Sequence, residues 1–129
     1  MTKQILVVDD DAQTRALVGL ILQRNGFRTL EAFDGQSALR LLEFTTPDLI
    51  IVDIMMPGID GLELCRRLRA RHQTRETPVI VFTAAGSIRL DRSVRDAGAN
   101  EFIPKTSPPQ ELSAAVNRLL QTNTVDALS

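Results

Sequence analysis

Tryptophan and tyrosine are both absent from this chain of 129 residues, which leaves five phenylalanines as its only aromatic side chains. It therefore lacks the stacking platforms on which single-stranded nucleic acids are commonly bound. A single cysteine, Cys65, allows no internal disulfide and fits a reducing cytosol. The single histidine, His72, sits among arginines and reads as a surface residue rather than a phosphoryl donor. No apolar stretch approaches the ~18 residues that a membrane span needs. The opening Met-Thr-Lys-Gln leads straight into a short apolar run, so no signal peptide is expected. A net charge of -1 points to neither nucleic acid nor an acidic partner. Lysine is scarce too: only Lys3 and Lys105 occur. A hydrophobic fraction of 43% and a charged fraction of 24% belong to a soluble globular domain able to bury a core without staples.

Short apolar runs are what the chain has instead, and they lead into polar residues. Ile5-Leu6-Val7-Val8 is followed by Asp9, Asp10 and Asp11, and Leu49-Ile50-Ile51-Val52 by Asp53. Val79-Ile80-Val81-Phe82 is followed by Thr83, and Phe102-Ile103-Pro104 by Lys105. Consecutive Val and Ile without alternation suit parallel strands covered on both faces. Phe27–Ala32 reads as a weaker strand nearer an edge, because Arg28 and Glu31 interrupt it. Between the runs, apolar residues recur at helical spacing. Leu17, Val18, Ile21 and Leu22 precede a stop at Asn25-Gly26, and Ala38, Leu41 and Leu42 follow a cap at Asp34. Leu64, Cys65 and Leu68 follow a cap at Asp60, residues 87–97 precede Gly98, and Leu112, Val116, Leu119 and Leu120 follow Pro108-Pro109. Periodicity fades from Gln121, which divides the chain into a domain over 1–121 and a tail or linker start over 122–129. Five strands alternating with five helices predict an α/β fold, doubly wound around a parallel five-stranded sheet.

Ligand sites in open parallel sheets form outside the carboxyl ends of the strands. One sheet edge would thus collect Asp9, Asp10, Asp53, Thr83 and Lys105. Helix capping accounts for Asp11 but poorly for three aspartates in a row, which makes Asp9 and Asp10 candidate cation ligands. Asp53 ends a wholly apolar run, where an unpaired carboxylate is costly to desolvate. Beside Asp9 and Asp10 it also meets like charge, which a cation would offset. Hard oxygen donors suit Mg²⁺ or Mn²⁺ better than zinc. A divalent cation, a lysine and a hydroxyl around one carboxylate make a phosphoryl-transfer site, in which the carboxylate attacks phosphorus and becomes an acyl phosphate.

Four segments, in this order and spacing, resemble those of bacterial response regulator receiver domains, the CheY-like modules of two-component signalling. They are Val7-Val8-Asp9-Asp10-Asp11, Val52-Asp53-Ile54-Met55-Met56-Pro57-Gly58-Ile59-Asp60-Gly61, Val81-Phe82-Thr83-Ala84 and Gly98-Ala99-Asn100-Glu101-Phe102-Ile103-Pro104-Lys105. The resemblance covers about Gln4 to Leu120 and implies a flavodoxin-like (βα)5 fold with strand order 2-1-3-4-5. It implies that Asp53 is the phosphoacceptor. Asp10 and Asp53 would ligate Mg²⁺ through their side chains, Asp9 mainly through water, and Met55 through its backbone carbonyl. Lys105 would pair with the phosphoryl group or, without it, with Asp53. Thr83 would swing toward a phosphoryl oxygen, and Phe102 matches the aromatic switch position. The implied donor is a phosphohistidine on a sensor histidine kinase or phosphotransfer protein. The implied output is a partner protein or domain reading the surface of the fourth helix, fifth strand and fifth helix. Whether phosphorylation also pairs two chains into a homodimer stays open, as does whether the chain acts alone or within a longer regulator.

Such a module is no ordinary enzyme: it assists its own phosphorylation and slow dephosphorylation, in the cytoplasm. Relatives usually carry proline after the lysine, often with a cis bond, whereas here Thr106 follows. A cis bond before a non-proline residue costs about 3 kcal/mol, so the loop is either trans or strained by packing. Met55 and Ala85 match positions that influence self-dephosphorylation in relatives; both are apolar, which predicts a long-lived phosphoryl state. Arg89, Arg92 and Arg95 recur along the fourth helix as a solvated face or an output surface. The main rival is a metal-dependent phosphohydrolase with Asp53 as nucleophile, which commonly needs a second carboxylate where Met55 stands. A nucleotide or flavin binder would need a glycine-rich phosphate loop that is missing here, and no second domain supplies a helix for direct DNA contact.

Overall fold

Strands and helices alternate strictly along the chain in the computed structural model, which describes the backbone of residues 2–84 and 88–128 and the side chains of 2–84 and 90–120. The order is β1 (Gln4–Val8), α1 (Ala12–Arg24), β2 (Arg28–Ala32), α2 (Gly35–Leu41), β3 (Leu49–Val52), α3 (Gly61–Ala70), β4 (Val79–Thr83), α4 (Ile88–Asp96), β5 (Glu101–Pro104) and α5 (Pro109–Leu128). All neighbouring strands pair parallel, in the order β2-β1-β3-β4-β5. This is the flavodoxin-like arrangement expected from the sequence. Strand order reverses beside β1, the kind of switch point where such sheets place their ligands.

Alternate side chains of the central strands enter two separate cores. Leu6, Val8, Ile50, Val52, Val79 and Val81 pack with Ala38, Leu64, Leu68 and Val94 of α2, α3 and α4. Ile5, Val7, Leu49, Ile51 and Ile80 pack with Val18 and Leu22 of α1 and with Leu112 and Val116 of α5. Burial on both faces is why these strands read as unbroken apolar runs. Among the described residues no helix is long and apolar enough to cross a membrane.

Capping sets the helix boundaries. The Asn25 N–H bonds back to the Leu22 and Gln23 carbonyls, and Gly26 then takes φ +87° to leave α1. Asp34 forms a reciprocal capping box with Ser37, and the Asp60 carboxylate accepts the Glu63 N–H. Two details of the helices add to the sequence reading. Leu17 is 56% exposed, whereas Val18 and Leu22 are buried; adjacent helical residues point about 100° apart, so only one of the pair can face the sheet. The α5 backbone also stays helical past Gln121, where periodicity fades in the sequence.

Opposite the strands' carboxyl ends, Arg69 of α3 joins three segments. Its Nη1 donates to the carbonyls of Thr74, Arg75 and Thr77 at 3.0, 3.1 and 2.7 Å. Its Nε donates to the Gly98 carbonyl at 2.8 Å, and its Nη2 to Asn100 Oδ1 at 3.0 Å. Asn100 Oδ1 also accepts the Val79 N–H at 2.9 Å. Gly98 adopts φ +105°, and a Cβ there would stand 2.6 Å from Arg69 Cγ, so conformation and space both require glycine.

Candidate functional site

Each acidic residue is placed by the strand it follows. Val8 and Val52 are partners across the β1–β3 ladder. Just past them, the Asp53 N–H donates to the Val8 carbonyl at 3.0 Å and the Asp9 N–H to the Ala32 carbonyl at 3.1 Å. Both aspartates therefore leave the sheet with their backbone still paired. Asp9 is 2% exposed and Asp53 5%, while Asp10 is exposed. One carboxylate oxygen from each of the three lies within 4.8 Å of the others. The loop after Asp53 folds back at once, with the Met56 and Gly61 N–H groups each 3.0 Å from the Ile54 carbonyl. A Cβ on Gly61 would collide with the Asp53 carbonyl, so only glycine allows α3 to start this close.

Lys105 arrives from the other side. Its N–H donates to the Thr83 carbonyl at 2.8 Å, extending the β4–β5 ladder by one residue. Its Nζ lies 2.8 Å from Asp9 Oδ2 and 3.0 Å from Asp53 Oδ2. The sequence pairs this lysine with Asp53; the contact with Asp9 is additional. Among the described residues no peptide bond is cis, so the Lys105–Thr106 bond is trans and the lysine reaches Asp53 from it. The remaining oxygens are also engaged: Asp53 Oδ1 accepts the Met55 N–H at 3.3 Å, and Asp9 Oδ1 accepts the Asp11 N–H at 2.9 Å.

Charge in the site is unbalanced. Burial pushes the Asp9 carboxyl above its ordinary range; hydrogen bonds from Lys105 and the Asp11 N–H pull against this, and the Asp53 charge adds to the rise. Burial pulls Lys105 downward, but the two carboxylates outweigh it and hold the ammonium above its usual value. Asp9 and Asp53 thus share one ammonium, and the neighbouring Asp10 side chain makes no hydrogen bond or ion pair among the described residues. An all-oxygen donor set short of positive charge fits a hard divalent cation, and without sulfur or imidazole it does not suit zinc.

Thr83 ends β4 beside Lys105. It is 0% exposed, and its Oγ1 has no hydrogen-bond partner among the described residues. Phe102 is half-buried against the core that contains Val81 and Val94. Met55 is 67% exposed, and a cavity of about 320 Å³ lined by Asp10, Ile54, Met55, Met56, Pro57 and Asp60 opens beside the acidic cluster.

The model of the response regulator receiver domain family matches residues 5–117. The chain belongs to that family. The response regulator MprA of Mycolicibacterium vanbaalenii is 40% identical over 126 residues, 98% of this receiver domain chain and 54% of that protein. The phosphate regulon transcriptional regulatory protein PhoB of Escherichia coli K12 is 36% identical over 121 residues, 94% of this chain and 53% of that protein. The chain spans about half the length of these curated relatives. The signal receiver domain of a signal transduction histidine kinase from Syntrophus aciditrophicus matches with a TM-score of 0.87 at 36% identity, covering 94% of this chain and 92% of that one.

As a receiver domain of the two-component response regulator family, the protein is a signalling module. The phosphohydrolase reading is not favoured: the position that needs a general acid holds the exposed, apolar Met55. Of the other sequence expectations, Ala85 lies outside the described residues, as does the Arg89 side chain. Arg92 is exposed, and Arg95 pairs with Asp91 at 3.5 Å on the same exposed helix face. Cys65 is buried and free, and burial pushes its thiol up to about 11. One neighbour of the site carries no mark in the sequence. Arg15 of α1 donates from Nη1 to the Asp9 carbonyl at 2.6 Å, and its Nε lies 3.0 Å from Glu31 Oε1.

Proposed function

We propose that Asp53 is the phosphoacceptor of this receiver domain and that its phosphorylation switches a partner protein or output domain. The observation that carries the reading is a buried carboxylate held 3.0 Å from the Lys105 ammonium, inside a cluster of oxygen donors. An Asp53 oxygen forms a bond to phosphorus while the phosphorus–nitrogen bond of a donor phosphohistidine breaks, its electron pair leaving with the imidazole. The product is an acyl phosphate. Asp9, Asp10, Asp53 and the Met55 carbonyl would hold Mg²⁺ or Mn²⁺, which supplies positive charge against the phosphoryl oxygens when bound. Lys105 moves its hydrogen bond from the Asp53 carboxylate to a phosphoryl oxygen. The unpartnered Thr83 hydroxyl donates to another, and Phe102 turns inward as the α4–β5–α5 surface changes population.

The partners in this reading are a sensor histidine kinase or phosphotransfer protein on the input side and a separate output on the other. Whether phosphorylation also pairs two chains is read by size-exclusion of the phosphorylated and unphosphorylated samples. The domain itself makes no direct contact with nucleic acid, and residues 122–129 are a C-terminal tail or the start of a linker after the 1–121 domain. A cytoplasmic setting belongs to the same proposal, and the free thiol of Cys65 supports it.

Incubation with acetyl phosphate and Mg²⁺, followed by mass spectrometry, tests the assignment. Wild type is expected to gain one phosphoryl group on Asp53 and Asp53→Asn none; a group found on another residue would overturn the reading. Small phosphate esters are expected to show little turnover. Because Met55 and Ala85 offer no polar group to orient attacking water, the adduct is expected to outlast a few seconds; a shorter half-life counts against slow release.

A further inference from the structure

Arg15 divides its guanidinium between two targets of different kinds. Nη1 donates to the Asp9 carbonyl at 2.6 Å, and Nε pairs with Glu31 Oε1, on edge strand β2, at 3.0 Å. The arginine side chain is only 18% exposed. The carbonyl it holds belongs to the peptide joining Asp9 to Asp10. The flanking groups are pinned as well. The Asp9 N–H bonds to Ala32 at 3.1 Å, and the Asp11 N–H to Asp9 Oδ1 at 2.9 Å. The Asp11 carboxylate caps α1 through the Gln13 N–H at 3.2 Å and the Thr14 hydroxyl at 2.7 Å. Because the peptide is planar, fixing its carbonyl fixes the direction from which Asp10 departs. Among the described residues, Asp10 itself has no side-chain bond to orient it.

We infer that Arg15 is a positioning residue for the divalent-cation site, orienting the Asp9–Asp10 peptide so that both carboxylates face the same ion. The inference rests on the reading of Asp9, Asp10 and Asp53 as cation ligands. Arginine suits the task, since its rigid fork serves a carbonyl and a carboxylate at once and keeps its charge. Its charge, however, works against it. A positive group beside a cation site weakens cation binding by Coulomb repulsion, so positioning and charge predict effects of opposite sign when the guanidinium is removed.

Isothermal titration of Mg²⁺ into the full chain, with no phosphodonor present, separates the two. Arg15→Gln is expected to bind Mg²⁺ about tenfold more weakly than wild type, as losing a partner of a metal ligand generally does. Should that variant fail to fold, Arg15→Met, which keeps an unbranched helix-favouring side chain, is read in the same way. Val116→Ala, on the buried face of α5, is the stability control: it is expected to lower the melting temperature and leave Mg²⁺ affinity unchanged. Binding by the neutral Arg15 variant that equals or exceeds wild type overturns the inference and leaves the acidic site standing. A wild-type chain that binds no Mg²⁺ overturns the ligand assignment itself, and the inference with it.

Discussion

A buried hydroxyl with no partner is unusual enough to ask what it is for. Leaving such a group unsatisfied costs about 1–3 kcal/mol, and among the described residues Thr83 Oγ1 is in that position. Thr83→Val keeps the shape and removes the orphan. The variant is therefore expected to be more stable by about 1 kcal/mol, seen as a higher urea midpoint with an unchanged slope. An unchanged or lower midpoint would mean that the hydroxyl has a partner in solution. Asp9, Asp53, Thr83 and Lys105 were legible in the sequence because each follows an apolar run, which turns position along the chain into position at the sheet edge. Arg15 was not, since its partner at the site is a backbone carbonyl and nothing marks it out among the other arginines. The same blindness hid the contact between Lys105 and Asp9, which depends on how deeply the ammonium enters rather than on which residues are present.

Helices and strands were legible to within a residue or two wherever a cap was written in the chain. Asp34, Asp60 and Asn25-Gly26 stop or start helices at the expected places. The inward face of α1 was less so, because Leu17 and Val18 are equally apolar and only packing against the sheet chooses between them. Asp34 also gives α2 a pH dependence. The Ser37 N–H, followed by the Ser37 hydroxyl, holds its carboxyl below the ordinary aspartate value. A depressed carboxyl contributes stability above its unfolded pKa and loses it as pH falls through the folded one. Asp34→Ala is expected to cost about 1 kcal/mol at neutral pH. In acid, once the pH has fallen below the depressed folded value, wild type is protonated too and the difference should close. Denaturant titrations at the two pH values measure it; a gap that persists in acid would mean that the cap does not work through its charge.

For the molecule as a whole, the two ends of the sheet are held differently. At the carboxyl ends of the strands, β4 and β5 carry Thr83 and Lys105, the residues that the proposed function gives to a transient phosphoryl group. At the opposite end, five acceptors around Arg69 bind the close of α3, the approach to β4 and the turn into β5. Hydrogen exchange with and without beryllofluoride and Mg²⁺ compares them. Amides around Thr83 and from Phe102 to Lys105 are expected to change, while those of Gly98 to Asn100 stay as they were; altered exchange at Gly98 to Asn100 would show that this end gives way as well. The turn between α4 and β5 is thus tied to α3 at the end of the sheet opposite Lys105, so that in the proposed switch any change made at Lys105 would be taken up at the near end of the α4–β5 unit.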